Sequence, residues 1–155
     1  MAPEIALPQI IQGGMGVAVS NWKLARAVSL IGQLGVISGT VLDTVLVRRL
    51  QDGDVGGHMR RAIDHFPIAG VGDAVLTRYF LPEGRPPQQA YKLIPMYKQK
   101  VSVERQQLTM LANFVEVYLA KEGHTNRWAS TSSPRFRCRT WLPYTARCWP
   151  ARTTC

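Results

Sequence analysis

The chain has 155 residues and a formal net charge of +9, a length that suggests one domain able to bury a sizeable core. The charge invites a nucleic-acid reading until it is located: every acidic residue lies at or before Glu122, whereas residues 125–155 carry six arginines, no lysine and no acid. All three cysteines also lie in that tail, and an odd number without a secretory leader argues against a disulfide framework.

Residues 1–8 have neither a basic n-region nor an apolar h-region, so the expectation is a cytoplasmic chain without a signal peptide. Residues 8–39, PQIIQGGMGVAVSNWKLARAVSLIGQLGVISG, read as strand, glycine turn, helix and strand. Ile10 and Ile11 centre a short run that suits a strand buried on both faces. Gly13, Gly14 and Gly16 follow, then Asn21 as N-cap to a helical pattern in Leu24, Val28, Ile31 and Leu34, which Gly35 closes. Val36-Ile37 restart a strand, and Ser38-Gly39-Thr40 turn into the next helix. The glycines of this βαβ unit lie at the carboxyl end of its first strand, where parallel α/β folds place ligands. There a glycine can take positive φ and let a flat ligand approach exposed amides, or it can simply make a tight turn.

Residues 27–47 are fairly apolar, but Ser29, Gly32, Gln33, Ser38, Gly39 and Asp43 interrupt them, as in a buried strand between helices rather than a membrane span. Residues 40–50 have helical spacing, with Arg48 and Arg49 in the last turn, where the helix dipole favours cations. Two short helices are expected over 57–66 and 71–80, joined through Pro67 and Gly70. His58 and His65 fall seven apart on the first, and two such histidines can bind a metal, although a surface or packing role needs no third ligand. Residues 82–95 are proline-rich and irregular. Over 103–122 the apolar positions Leu108, Leu111, Val115 and Leu119 predict a helix, with Ser102 capping its start and Gly123 its end. No strand is expected after it.

Residues 125–155, TNRWASTSSPRFRCRTWLPYTARCWPARTTC, show neither period. Arginines interleaved with Trp128, Phe136, Trp141, Tyr144 and Trp149 resemble single-stranded nucleic-acid or membrane-surface segments, which makes a small basic binding module the alternative reading. Cys138, Cys148 and Cys155 lack the paired spacing of a zinc site, so no metal is expected. A third reading accounts for more of the composition. When each codon begins on the third base of the one before, the overlaps of residues 127–137 can spell Val-Gly-Ile-Asn-Phe-Leu-Thr-Lys-Ile-Gln, as expected if one base were lost near codons 124–127.

The wording IIQGGMGVAVSNWKLARAVS followed by GQLGVISGT resembles the nitronate monooxygenase (2-nitropropane dioxygenase) family. RRLQDGDVGGHMRRAIDHFP and NFVEVYLAKEGH resemble one subgroup of it. The resemblance covers about residues 5–124 as linked segments in order. It implies an α/β fold, the N-terminal portion of a (β/α)8 TIM barrel over residues 1–124, incomplete because a whole barrel needs roughly 250 residues. Residues 125–155 would be a disordered tail of out-of-frame translation.

In the family, FMN lies across the carboxyl ends of the strands and the flavin oxidises alkyl nitronates with molecular oxygen. Some similar proteins are enoyl reductases or other flavin oxidoreductases. By resemblance Gly13, Gly14 and Met15 would approach the flavin, the glycines through backbone atoms, with Ser38 and Gly39 as further candidates for the same face. Met15 has core packing as its other reading. The family's flavin-holding asparagine exists here only in the shifted frame. Its histidine base and phosphate-binding loops lie beyond residue 124, so no residue takes a catalytic role. The implied partner is a small nitronate-type substrate, with no specific nucleic acid and no membrane.

Overall fold

The computed structural model describes residues 8–96, 99–124, 126 and 128–131. Its elements are β1 (Ile11–Gln12), α1 (Trp22–Leu30), β2 (Leu34–Ser38), α2 (Leu42–Gln51), α3 (His58–Ile63), α4 (Val71–Tyr79), α5 (Val103–Lys121) and β3 (Trp128–Thr131). The strands form one parallel sheet in the order β1-β2-β3, with Ile11 opposite Leu34 and Gly35 opposite Trp128. The protein is therefore mixed α/β, mostly helical with a small parallel sheet, and residues 8–39 make the βαβ unit that their pattern suggests.

Helix α1 begins where Asn21 caps it: Oδ1 accepts the Lys23 and Leu24 amides at 3.0 and 3.2 Å. It stops earlier than expected. Ile31 is the C-cap and Gly32 turns the chain at φ +79°, so Gly35 does not close the helix but sits inside β2. Its missing Cβ has another use, since one would collide with the Ala25 carbonyl. The buried stripe of α1 is accordingly Trp22, Ala25 and Ser29 rather than Leu24, Val28 and Ile31, the last of which is 71 % exposed.

The first strand also departs from expectation. Ile10 and Ile11 are exposed, not buried on both faces, because β1 is an edge strand and pairs only with β2 among the described residues. At the other edge a strand does follow α5: β3 runs from Trp128 to Thr131 beside β2, in the reading frame as written. The expectation of no strand there was wrong. A slot between α5 and an open β2 edge offers backbone pairing that needs no apolar period.

The helices carry the core. Leu50, Val47, Leu111, Val115 and Leu119 are fully buried together with Ile37 of β2. Each such aliphatic side chain contributes about 1.5–3 kcal/mol on removal from water. Helix α5 lies alongside both α2 and α1. Arg105 of α5 pairs with Asp43 of α2 at 2.7 Å, and about three turns further along α5 Glu116 pairs with Arg49. The other Glu116 carboxylate oxygen accepts the Trp22 amide at 2.9 Å, so this buried acid ties three helices together. Ser102 caps α5 as read, its Oγ accepting the Arg105 amide, and Gly123 follows its end at φ +80°.

Residues 82–95 are irregular, as their prolines suggest. Helices α3 and α4 occupy the two expected windows. His58 and His65 do not share a helix, however: α3 ends at Ile63, His58 packs on Trp22 and His65 stacks on Tyr118. The shortened helix, stopped at Asp64, separates them. Cys138, Cys148, Cys155 and the aromatic–arginine pattern beyond Thr131 lie outside the described residues.

Candidate functional site

The carboxyl ends of β1 and β2 point to one face, and the loops that leave them, residues 13–21 and 39–41, line it. The first loop is held by Ser20, which is buried. Its Oγ accepts the Met15 amide at 2.9 Å and the Gln12 Nε2 at 2.9 Å, and donates to the Gly13 carbonyl at 3.1 Å. The Ser20 carbonyl accepts the Ser38 amide at 2.9 Å. Gln12 extends the network, its Oε1 accepting the Val36 amide at 3.3 Å.

Three of the five residues selected from the sequence, Gly13, Met15 and Ser38, are thereby brought together through a fourth that was not. Gly14 is exposed, and Gly39 is partly buried beside Ser38. Ser38 is itself buried, its Oγ 3.3 Å from Thr40 Oγ1, so it shapes the wall rather than offering a free hydroxyl. Met15 is half-exposed, which rules out core packing as its role in this fold. Nothing in the local pattern marks Ser20, since a serine just before a helix reads as loop or cap. Gln12 was equally silent.

Gly13 and Gly16 do not adopt positive φ; a Cβ on either would meet nothing within 4 Å. Their contribution is open space above the loop rather than a left-handed turn. The left-handed positions belong to non-glycines: Ala18 at φ +60° in the first loop and Val41 at φ +55° at the start of α2. Backbone strain of this kind costs roughly 1–2 kcal/mol per residue, and it concentrates at ligand-facing segments. A β-branched residue such as Val41 is a particular outlier there.

An FMN would meet two different surfaces here. Open glycines beside the half-exposed Met15, Val17 and Val19 fit the flat ring of a flavin. The start of α1 does not provide for its phosphate. The first amides of α1 are already taken, by Asn21 and by Glu116, so that helix terminus presents no free donors to an anion. Residues 8–21 and 34–41 also contain no acid, base, histidine or cysteine, so these two segments cannot move a proton through such a side chain.

Other features lie away from this face. A cavity of about 530 Å³ between α4 and the start of α5 is lined by Val71, Val75, Tyr79, Ile94 and Leu108, and by none of the five selected residues. A smaller one, about 260 Å³, touches Trp22, Asp54 and His58. Asp54 there is occupied in capping α3, accepting the Met59 and Arg60 amides at 2.9 and 3.0 Å. Among the described residues no group of three His, Cys, Asp or Glu could hold a metal ion.

A charge pair that perturbs both partners joins α3 to the end of α5. Arg61 donates to both Glu122 oxygens at 2.8 Å, which holds that carboxyl below the usual glutamate range and raises the guanidinium. Burial lowers Lys121.

Among the described residues no helix is long and apolar enough to cross a membrane. Compared with protein-family models, with curated proteins and with solved structures, the chain matches none.

Proposed function

We propose that residues 8–124 are the N-terminal part of an FMN-dependent oxidoreductase similar to nitronate monooxygenases, with a (β/α)8 barrel as the parent fold and the cytoplasm as its compartment. The observation that carries the reading is the face at the carboxyl ends of β1 and β2. Parallel strands converge on an open glycine ledge flanked by half-exposed apolar side chains, the setting that a flat aromatic cofactor uses. When bound, the flavin supplies the redox chemistry and the protein supplies orientation and electrostatics. Gly13, Gly14 and Met15 would lie against the ring, and Ser38 and Gly39 would close the adjoining wall.

On its own this chain does not turn over nitronates. Residues 8–21 and 34–41 of the face hold no acid, base, histidine or cysteine, and before the tail the described residues supply two of a barrel's eight strands, β1 and β2. We further read residues 125–155 as translation in a shifted frame. That reading rests on the abrupt change of composition and on the recovered Val-Gly-Ile-Asn-Phe segment. It draws no support from a missing strand, because β3 forms in the frame as written.

The codons test the frame directly. Ala129 must end in A to give Ile, and Thr131 must end in T to give Phe; other bases, with an early stop in the shifted frame, would make the tail genuine sequence. Oxygen uptake with an alkyl nitronate and added FMN tests the activity. The purified chain is expected to show none above free flavin, and uptake well above that background would overturn the reading.

A further inference from the structure

We propose that Ser20 is the positioning residue of this face, the group that registers the loop after β1 against the end of β2 before any ligand arrives. The inference rests on the flavin reading for the identity of the ligand, a flat aromatic cofactor, but its structural core is independent of that identity. A buried hydroxyl with one donor and two acceptor positions uses all three here. Each partner lies on the candidate surface or directly beneath it: the Met15 amide, the Gly13 carbonyl and the Gln12 side chain. The backbone of the same residue then reaches the second strand through the Ser38 amide.

The consequence follows from what else holds the loop. Val17 and Val19 are half-exposed and the glycines touch nothing across the open side, so packing contributes little to its shape. Apart from one turn bond from the Val19 amide to the Gly16 carbonyl and a bond that Gln12 Nε2 donates to the Gly13 carbonyl, the 13–16 segment is shaped by the Ser20 hydroxyl. Without it the Met15 amide and the Gly13 carbonyl lose their common partner. The loop would then have to be ordered at the moment of binding, and affinity falls by that ordering cost.

The experiment compares Ser20→Ala with Ser102→Ala in the full chain. Ser102→Ala removes the cap of α5, away from this face, and leaves the Ser20 hydroxyl in place, so it controls for a mere loss of helix stability. Hydrogen exchange at the Met15 amide is measured in both, followed by titration with FMN read by flavin fluorescence. Ser20→Ala is expected to speed Met15 exchange at least ~10-fold and to weaken FMN binding by a similar factor, with neither change in Ser102→Ala. Equal exchange at Met15 in Ser20→Ala and the parent chain, or equal acceleration in the two variants, would overturn the proposal. Should Ser20→Ala not fold, the parent chain decides: its Met15 amide must be protected at least ~10-fold beyond that of Val17, and an unprotected Met15 refutes the assignment. If the parent chain leaves FMN fluorescence unchanged, the flavin reading of this chain fails, and the exchange data still decide the role of Ser20.

Discussion

The helical half of the molecule and its sheet half are built to different standards of closure. Around α2 and α5, Leu50, Leu111 and Leu119 have no exposed surface, and the charges between the helices are paired. Around β1, Ile10, Ile11, Leu30 and Ile31 are each more than half exposed. Parallel strands ordinarily have both faces covered, and an open apolar edge invites another strand. The difference teaches which part of the chain is self-sufficient. The helices bury one another, while the strands and the ledge above them stay open among the described residues.

The comparison predicts that cutting into the helical half has the largest effect. Leu111→Ala should cost about 2–5 kcal/mol, read as a lower urea midpoint; a loss below half a kcal/mol would mean the helical core is not packed as described. Gly35→Ala probes the seam between the halves. The added Cβ meets backbone of α1 that cannot turn aside, so a loss of about 1–3 kcal/mol is expected, again from denaturant unfolding. Val41→Gly should act in the opposite direction, relieving the left-handed strain and raising stability by about 0.5–1 kcal/mol. An unchanged or lower midpoint would show that the strain is not borne at this residue.

The smallest effect is a pH dependence. Glu122 ionises more readily in the folded state because Arg61 donates to it, so the pair's contribution is complete above the ordinary glutamate value, about 4.3, and is lost as the pH falls through the lower folded value. Both side chains are partly exposed, which limits the contribution to under ~1 kcal/mol. Arg61→Gln should therefore be slightly less stable than the parent at pH 7, with the two unfolding curves converging as the pH drops toward 3. A gap that widens on acidification would contradict the pairing.

Several of these features were legible in the sequence for local reasons. Asn21, Ser102 and Gly123 mark helix ends because capping depends on one side chain or one conformation, and the long apolar period of α5 outweighs any competing strand pattern. The misses are non-local. Gly32 and Gly35 both suit a helix end, and only the approach of Ala25 assigns Gly35 to the strand. Ile10-Ile11 has the pattern of a buried strand, but burial depends on neighbours absent from the described residues. Strand β3 is too short for any period, and the candidate face was half visible: its glycines stand out in the text, whereas the buried serine that joins them does not.

The central claim is that the open sheet and its ledge belong to an FMN barrel. Its most direct test is to insert one base after codon 124, express the restored reading frame, and record the visible spectrum of the purified protein. The account predicts the bands of an oxidised flavin, with FMN as the chromophore released on denaturation. A folded, colourless protein that takes up no FMN would contradict it.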